Sequence, residues 1–237
     1  MSGKGPTAYD VAGHYDDAYF ADLANRYRSR NRFARQRIAN VLSLLPALPG
    51  KVLVDVGTGM GTFTIEAARR GARAIGVDMV YAAVRTARRV AEAEHVATAF
   101  FTQADGAALP LPDASADILL AADVTEHLDD DTLVRVLAEA RRVLRPGGRL
   151  VLYTPSETHL FERLKDAGFL MKQDPSHIGV RTAHELADAV ERAGFTVERV
   201  TFLPSHLPVW NRLEEALAAR VPLLRRRIGL VARKPAA

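Results

Sequence analysis

Apolar and polar positions along this chain form two alternating kinds of run. "KVLVDVG", "ARAIGVD", "ATAFFTQAD", "ADILLAAD" and "RLVLYTP" are short and almost continuously apolar, the pattern of strands buried on both faces. Between them lie longer segments with apolar residues every three or four positions. In "DDDTLVRVLAEARRVL" the set Leu133, Val136, Leu137, Ala140 and Leu144 marks one helix face, and the leading carboxylates suit a helix N-terminus. "TFTIEAARRG" predicts a helix that Gly71 ends in a left-handed conformation, and "VYAAVRTARRVAEAE" predicts another. "GAALPLPDAS" reads as a loop and "RPGG" as a turn. Strand and helix alternating in this way predict βα units on a mostly parallel sheet.

The two ends depart from that rhythm. Residues 15–45 carry a helical pattern ahead of the first strand. After Pro155 comes a mixed stretch with aromatics and histidines, then the helix "TAHELADAVERAGF" and two strand candidates, "TVERVTFL" and "RRIGLVARK". With no repeat, low-complexity tract or linker, the 237 residues read as one elaborated α/β domain. Its parts are a helical cap (1–48), a core (49–155) and a C-terminal segment with further strands (156–237).

Composition narrows the function classes. An apolar share of 48% and a charged share of 25% are those of an ordinary globular protein, which argues against disordered and fibrous classes. No apolar run reaches membrane-spanning length, and "MSGKGPTAYD" lacks a secretory h-region. The absence of cysteine removes disulfides, thiolate nucleophiles and thiolate metal sites, so a cytoplasmic protein is expected. A net charge of +4 from scattered arginines reads as solvated helix faces and gives nucleic acid little support as a partner.

The candidate chemistry begins at "VLVDVGTGMGTFTIEAARRGARAIGVDMV". Gly57, Gly59 and Gly61 follow a strand and open a helix, where a backbone without Cβ atoms can approach a ligand closely. Asp78 ends the next strand 21 residues after Gly57, where a carboxylate would accept hydrogen bonds from a ribose diol. A dinucleotide fingerprint would need its third glycine at position 62, which is Thr62, and no Gly-Lys-Ser/Thr follows. Asp55 just before the loop repels a pyrophosphate and suits an ammonium. A cofactor with adenosine at one end and an amino acid at the other fits better than a dinucleotide.

These residues, with "QADGAALPLPDASADILLAADVTEHL" and "VLRPGGRLVLYTP", resemble the class I S-adenosylmethionine-dependent methyltransferases that share the ubiquinone and menaquinone methyltransferase pattern. The resemblance covers residues 50–155 closely and extends loosely to about 200. It implies a Rossmann-like, doubly wound, seven-stranded sheet with an antiparallel last strand, and S-adenosyl-L-methionine as cofactor. By that likeness Asp55, Gly57, Thr58, Gly59 and Gly61 hold the methionine part, Asp78 the ribose, and Met79, Asp105 and Gly106 the adenine. Asp123 joins the cofactor set from the end of the fourth strand.

The acceptor side is less determined. Base methylation is disfavoured, because the Asn/Asp-Pro-Pro-aromatic box is absent and no cysteine can attack cytosine. "DVTEHL" resembles motifs that bind a divalent metal in catechol-type quinone-precursor and RNA ribose methyltransferases, with Glu in place of Asp123. Asp123, Glu126, His127 and His177 are therefore candidate ligands for magnesium, manganese or zinc. Alternatively His127 or His177 acts as general base, or His127 braces a loop. Tyr9, Tyr15, Tyr19 and Phe20 are candidates for a cofactor cover, and Phe161, Phe169 and Trp210 for an apolar acceptor lining. The function expected is methylation of a small-molecule acceptor at oxygen, in secondary-metabolite or quinone-type biosynthesis. The alternatives are a metal-dependent RNA ribose 2′-O-methyltransferase and a non-catalytic cofactor-binding regulator.

Overall fold

The computed structural model describes residues 16–156, 176–204, 217, 220–221 and 226–236. Tyr9, Tyr15, Phe161, Phe169 and Trp210 lie outside the described residues. Seven strands form one sheet: β1 (Val52–Val56), β2 (Arg73–Asp78), β3 (Ala99–Gln103), β4 (Ala116–Ala122), β5 (Leu144–Pro155), β6 (Thr196–Leu203) and β7 (Arg227–Arg233). Their order is β3-β2-β1-β4-β5-β7-β6. The first five run parallel, and β7 pairs antiparallel with β5 and β6. The sheet order reverses beside β1, opening the crevice at the carboxyl ends of β1 and β4 where α/β proteins bind ligands.

Among the described residues six α-helices cover the sheet: α1 (Asp17–Arg28), α2 (Arg32–Leu44), α3 (Thr62–Arg69), α4 (Tyr81–Ala93), α5 (Asp130–Val143) and α6 (Ala183–Arg192). The expected elements of the core appear within a few residues of their predicted limits. Strand alternation divides the interior in two. Leu53, Ala74, Ile118 and Leu120 face α1–α4, while Val54, Val56, Leu119 and Leu150 face α5 and α6. Each such side chain fully buried contributes about 1.5–3 kcal/mol, which is why both faces of the central strands are apolar.

Local chemistry sets the helix ends. Asp129 caps α5 by accepting from Thr132 N at 2.9 Å, and α6 opens on a capping box between Thr182 and Glu185. Gly71, at φ 87°, takes the left-handed conformation expected after α3. "RPGG" does not separate α5 from β5 as a free turn. Pairing with β4 jumps from Ala116–Leu144 to Ile118–Arg149, so β5 runs continuously through a bulge. Gly147 N and Lys234 O, then Lys234 N and Gly148 O, stitch that bulge to the residue after β7 at 2.9 Å each.

The two leading helices form a roof fastened to the core by a buried carboxylate. Glu66 of α3 accepts from Tyr27 Oη at 2.9 Å and pairs with Arg30 and Arg70 at 2.7 Å. Burial pushes its pKa up, but the two guanidiniums and the phenol outweigh that and hold it below the ordinary range. The roof is thereby set over the glycine loop: a Cβ added to Gly59 would come 4.0 Å from the Phe20 ring.

Candidate active site

Beneath that roof lies a cleft of about 430 Å³. Its floor is the loop after β1, with Gly57, Thr58 and Gly59; one end is formed by Asp78, Met79, Asp105 and Gly106. The other end is formed by Asp123, Glu126, His127 and His177, and the roof contributes Tyr19, Phe20 and Phe33. Eleven of the thirteen expected site residues therefore line one space. Asp55 and Gly61 stand outside the lining.

Gly57, Gly59 and Gly61 all have positive φ, at 68°, 56° and 89°. At Gly57 a side chain is excluded twice, by this conformation and because a Cβ would collide with Val124. The loop is tied to β2: Asp78 Oδ2 accepts from Gly59 N at 2.9 Å, and its Oδ1 accepts from Val80 N at 2.9 Å. Each oxygen keeps a second lone pair for a ligand hydroxyl. Burial raises the Asp78 pKa against the pull of these N–H groups. Asp105 Oδ1 accepts from Ala107 N at 2.8 Å, a local turn that fixes the wall beside Gly106.

Asp55 lies under the loop. Strand alternation places it on the α3 side of β1, 1% exposed, where its Oδ2 accepts from the hydroxyls of Thr58 and Thr64 at 2.8 Å each. Burial pushes its carboxyl up to about 6, opposed by those hydroxyls and the charge of Arg37.

The residues of "DVTEHL" take separate positions. Asp123, at φ 56°, holds Arg37 Nε on Oδ2 and Arg227 Nη1 on Oδ1, both at 2.7 Å. Burial would raise its pKa, but Arg227 and Arg37 outweigh it and keep the carboxylate ionised. Glu126 sits in a 3-10 turn (Thr125–His127), 2% exposed, with Oε2 accepting from Thr154 Oγ1 at 2.9 Å. Burial, and then the negative charge of Asp123, push it up to about 8, so it is protonated near neutrality. His127 Nδ1 stands 3.0 Å from Ser176 O. A carbonyl only accepts, so Nδ1 carries the proton of this bond, and Nε2 is the ring's acceptor atom in that tautomer.

His177 packs edge-on to His127, ring centroids 5.0 Å apart. Glu126, His127 and His177 offer ligand atoms within 4.8 Å of one another. Asp123 is not part of that group, because both its oxygens are committed to guanidiniums. Of the four metal candidates the structure thus assembles three.

Several contributors carry no local sequence signal. Arg37 on α2 and Arg227 at the start of β7 line the cleft from distant parts of the chain, and their rings of support are Phe63 and Tyr153, at 4.5 Å and 5.5 Å from the guanidinium carbons. Arg181 clamps the histidine segment onto the 3-10 turn, donating to Thr125 O at 2.9 Å, Gly179 O at 2.7 Å and Leu128 O at 2.9 Å. Gly179 N adds a 2.8 Å bond to Glu126 O.

A sheet of this order, with a glycine loop after β1, an acid ending β2 and a cleft across the carboxyl ends, defines the Rossmann-like methyltransferase architecture. Comparison with known proteins agrees. Residues 54–152 match the family described as methyltransferase domain (Methyltransf_11). Over 193 residues the chain is 31% identical to a probable S-adenosylmethionine-dependent methyltransferase of Mycolicibacterium smegmatis, covering 81% of this chain and 68% of that one. Over 152 residues it is 38% identical to demethylmenaquinone methyltransferase of Deinococcus radiodurans, covering 60% and 61% respectively. Some other curated relatives are spanned over only 39% of their length. The solved [4+2]-cyclase SpnF superposes with a TM-score of 0.73 at 21% identity, over 99% of this chain and 98% of that one, a likeness of fold. The chain belongs to the class I S-adenosylmethionine-dependent methyltransferases.

Proposed function

We propose that the protein transfers the methyl group of S-adenosylmethionine to an oxygen of a small-molecule acceptor, of the secondary-metabolite or quinone-precursor kind, in a cytoplasmic setting. The observation that carries this reading is the single cleft joining the glycine loop and Asp78 at one end to His127 and His177 at the other. In this reading Asp78 holds the ribose, and Met79, Asp105 and Gly106 border the adenine. Gly57, Thr58 and Gly59 pass beside the methionine part, and Asp55 supports their loop from below. An acceptor hydroxyl lies near His127 Nε2. The oxygen attacks the methyl carbon in line as the carbon–sulfur bond breaks, the electron pair returns to sulfur, and the hydroxyl proton passes to Nε2. The roof of α1 and α2 limits water access, which favours displacement over hydrolysis.

A second reading is favoured by the cluster of Glu126, His127 and His177. Its mixed carboxylate and imidazole donors suit magnesium, manganese or zinc. Bound there, a divalent ion would supply Lewis acidity to an acceptor oxygen. The RNA ribose reading depends on this set and on a basic path to it, whereas the cleft's roof is largely aromatic and apolar apart from its arginines.

Calorimetric titration with S-adenosylhomocysteine, followed by methyl transfer to a panel of hydroxylated aromatics with and without chelator, tests both readings. Cofactor binding with chelator-insensitive transfer to oxygen supports the first. Transfer abolished by chelator and restored by a divalent ion supports the second. Binding without transfer to any acceptor favours a regulator, and absence of binding refutes the reading.

A further inference from the structure

The roof over the cleft is charged unevenly. Between Asp22 and Asp55 the chain has seven basic side chains and no acidic one. Four of the seven reach a carboxylate outside that stretch: Arg26 pairs with Asp22, Arg30 with Glu66, Arg37 with Asp123 and Lys51 with Asp117. Arg28, Arg32 and Arg35 are exposed, and among the described residues no carboxylate pairs with them. All three lie at one corner, for Arg28 is the last residue of α1, and Arg32 and Arg35 are the first and fourth of α2. The first turn of α2 therefore holds cations and no acid, against the sign of the helix dipole, and like charges three positions apart repel. Both features cost stability. Between the two arginines Phe33 is 42% exposed, and Tyr19 on α1 is 44% exposed. Both rings line the cleft, so the charged corner adjoins its mouth.

We propose that the corner between α1 and α2 docks on an anionic lipid surface, with Arg28, Arg32 and Arg35 on headgroup phosphates and Phe33 at the apolar boundary. Arginines set around an exposed ring suit a bilayer interface, where the charges meet phosphate and the ring leaves water. A negative surface there also relieves the repulsion between the arginines and the mismatch at the start of α2. Nucleic acid offers the same phosphates, but one corner with one ring is not the long groove with successive stacking rings that holds a strand. The docking itself does not depend on the methyl-transfer reading. Joined to that reading, it places the mouth of the cleft beside lipid, so that an apolar acceptor enters from the bilayer.

The chain is floated with vesicles of phosphatidylcholine alone and of phosphatidylcholine mixed with phosphatidylglycerol, at low and at high salt. The expected result is binding to the anionic vesicles only, weakening as salt rises. At about fivefold per arginine, R28Q/R32Q/R35Q lowers that binding about a hundredfold. F33S lowers it about tenfold and leaves the salt dependence unchanged. R32E/R35E separates docking from folding, because acids in the first turn of α2 suit its dipole. Its thermal midpoint should rise while vesicle binding is lost. A midpoint that falls together with binding makes the arginines part of the fold and overturns the proposal. Wild-type protein that ignores anionic vesicles, or a triple variant that binds them as well as wild type, also overturns it. So does a single-stranded RNA that displaces the vesicles and binds F33S as tightly as wild type, which assigns the corner to nucleic acid. Failure of S-adenosylhomocysteine to bind in the titration above is a separate result, which refutes the cofactor reading and leaves the vesicle outcomes to decide this one.

Discussion

Replacing Asp55 by asparagine changes the dependence of stability on pH in a way the structure fixes in sign and size. The carboxyl is 1% exposed and titrates at about 6 in the fold, against 3.8 as its ordinary value. Between those values the folded chain binds more protons than the unfolded chain, so the contribution of this group is greatest below pH 3.8 and is lost as pH rises through 6. At about 1.36 kcal/mol per pH unit, the full gap corresponds to about 3 kcal/mol, of which about 2 kcal/mol falls between pH 4 and pH 7.5. Asparagine keeps a carbonyl oxygen for the hydroxyls of Thr58 and Thr64 and has no charge to bury. The assay is urea unfolding of wild type and D55N at several pH values, read as the difference between the two proteins so that other titrating groups cancel. The expected difference moves in favour of D55N by about 2 kcal/mol from pH 4 to pH 7.5. A difference that stays flat would refute the argument, because it would mean that Asp55 titrates alike in both states. Repeating the series with S-adenosylhomocysteine separates two roles for this carboxylate. An ammonium lying against Asp55 would favour its ionised form and flatten the curve, whereas a carboxylate that only supports the loop would leave the curve unchanged.

Other perturbations test other parts of the site. Gly57→Ala forces a side chain into Val124 at a positive φ, with an expected loss of about 1–4 kcal/mol by thermal or urea unfolding, and the double variant with Val124→Ala should recover part of it. Asp78→Asn keeps an acceptor for one backbone N–H but loses charge and symmetry, so calorimetric affinity for S-adenosylhomocysteine should fall about tenfold or more. Arg181→Ala releases three carbonyl groups and should raise amide exchange at Gly179 and lower kcat while cofactor affinity holds. Thr182→Ala removes one half of the capping box and should cost about 1 kcal/mol of stability without changing affinity for S-adenosylhomocysteine.

The frame of this protein was legible because its signals are local. Buried parallel strands write themselves as short apolar runs, and helices between them repeat every three or four residues. The glycine loop and Asp78 were legible for the same reason: strand, loop, helix and strand must follow in that order and spacing. "RPGG" was misleading because it has the composition of a free turn. Whether such residues leave the sheet depends on partners outside the motif, and here Lys234, after the last strand, supplies the hydrogen bonds that keep them in it.

The same distinction explains why "DVTEHL" resisted a reading from its letters alone. Three neighbouring acid and imidazole groups invite assignment to one ligand set, yet their protonation is decided by residues far away in the chain. Arg37 and Arg227, 86 and 104 positions from Asp123, hold that carboxylate ionised and occupy its oxygens. For Glu126, three residues on, burial and the negative charge of Asp123 outweigh Arg227 and the Thr154 hydroxyl and keep its proton on. The Ser176 carbonyl, 49 positions away, fixes the proton on His127 Nδ1 and so sets the tautomer of the ring. A sequence motif lists the groups a site has available; long-range pairing decides which of them are anions, which are acids and which are bases. In this cleft the decision sets an ionised Asp123, held by Arg37 and Arg227, beside a Glu126 carboxyl that burial keeps protonated, two acids three residues apart with opposite states.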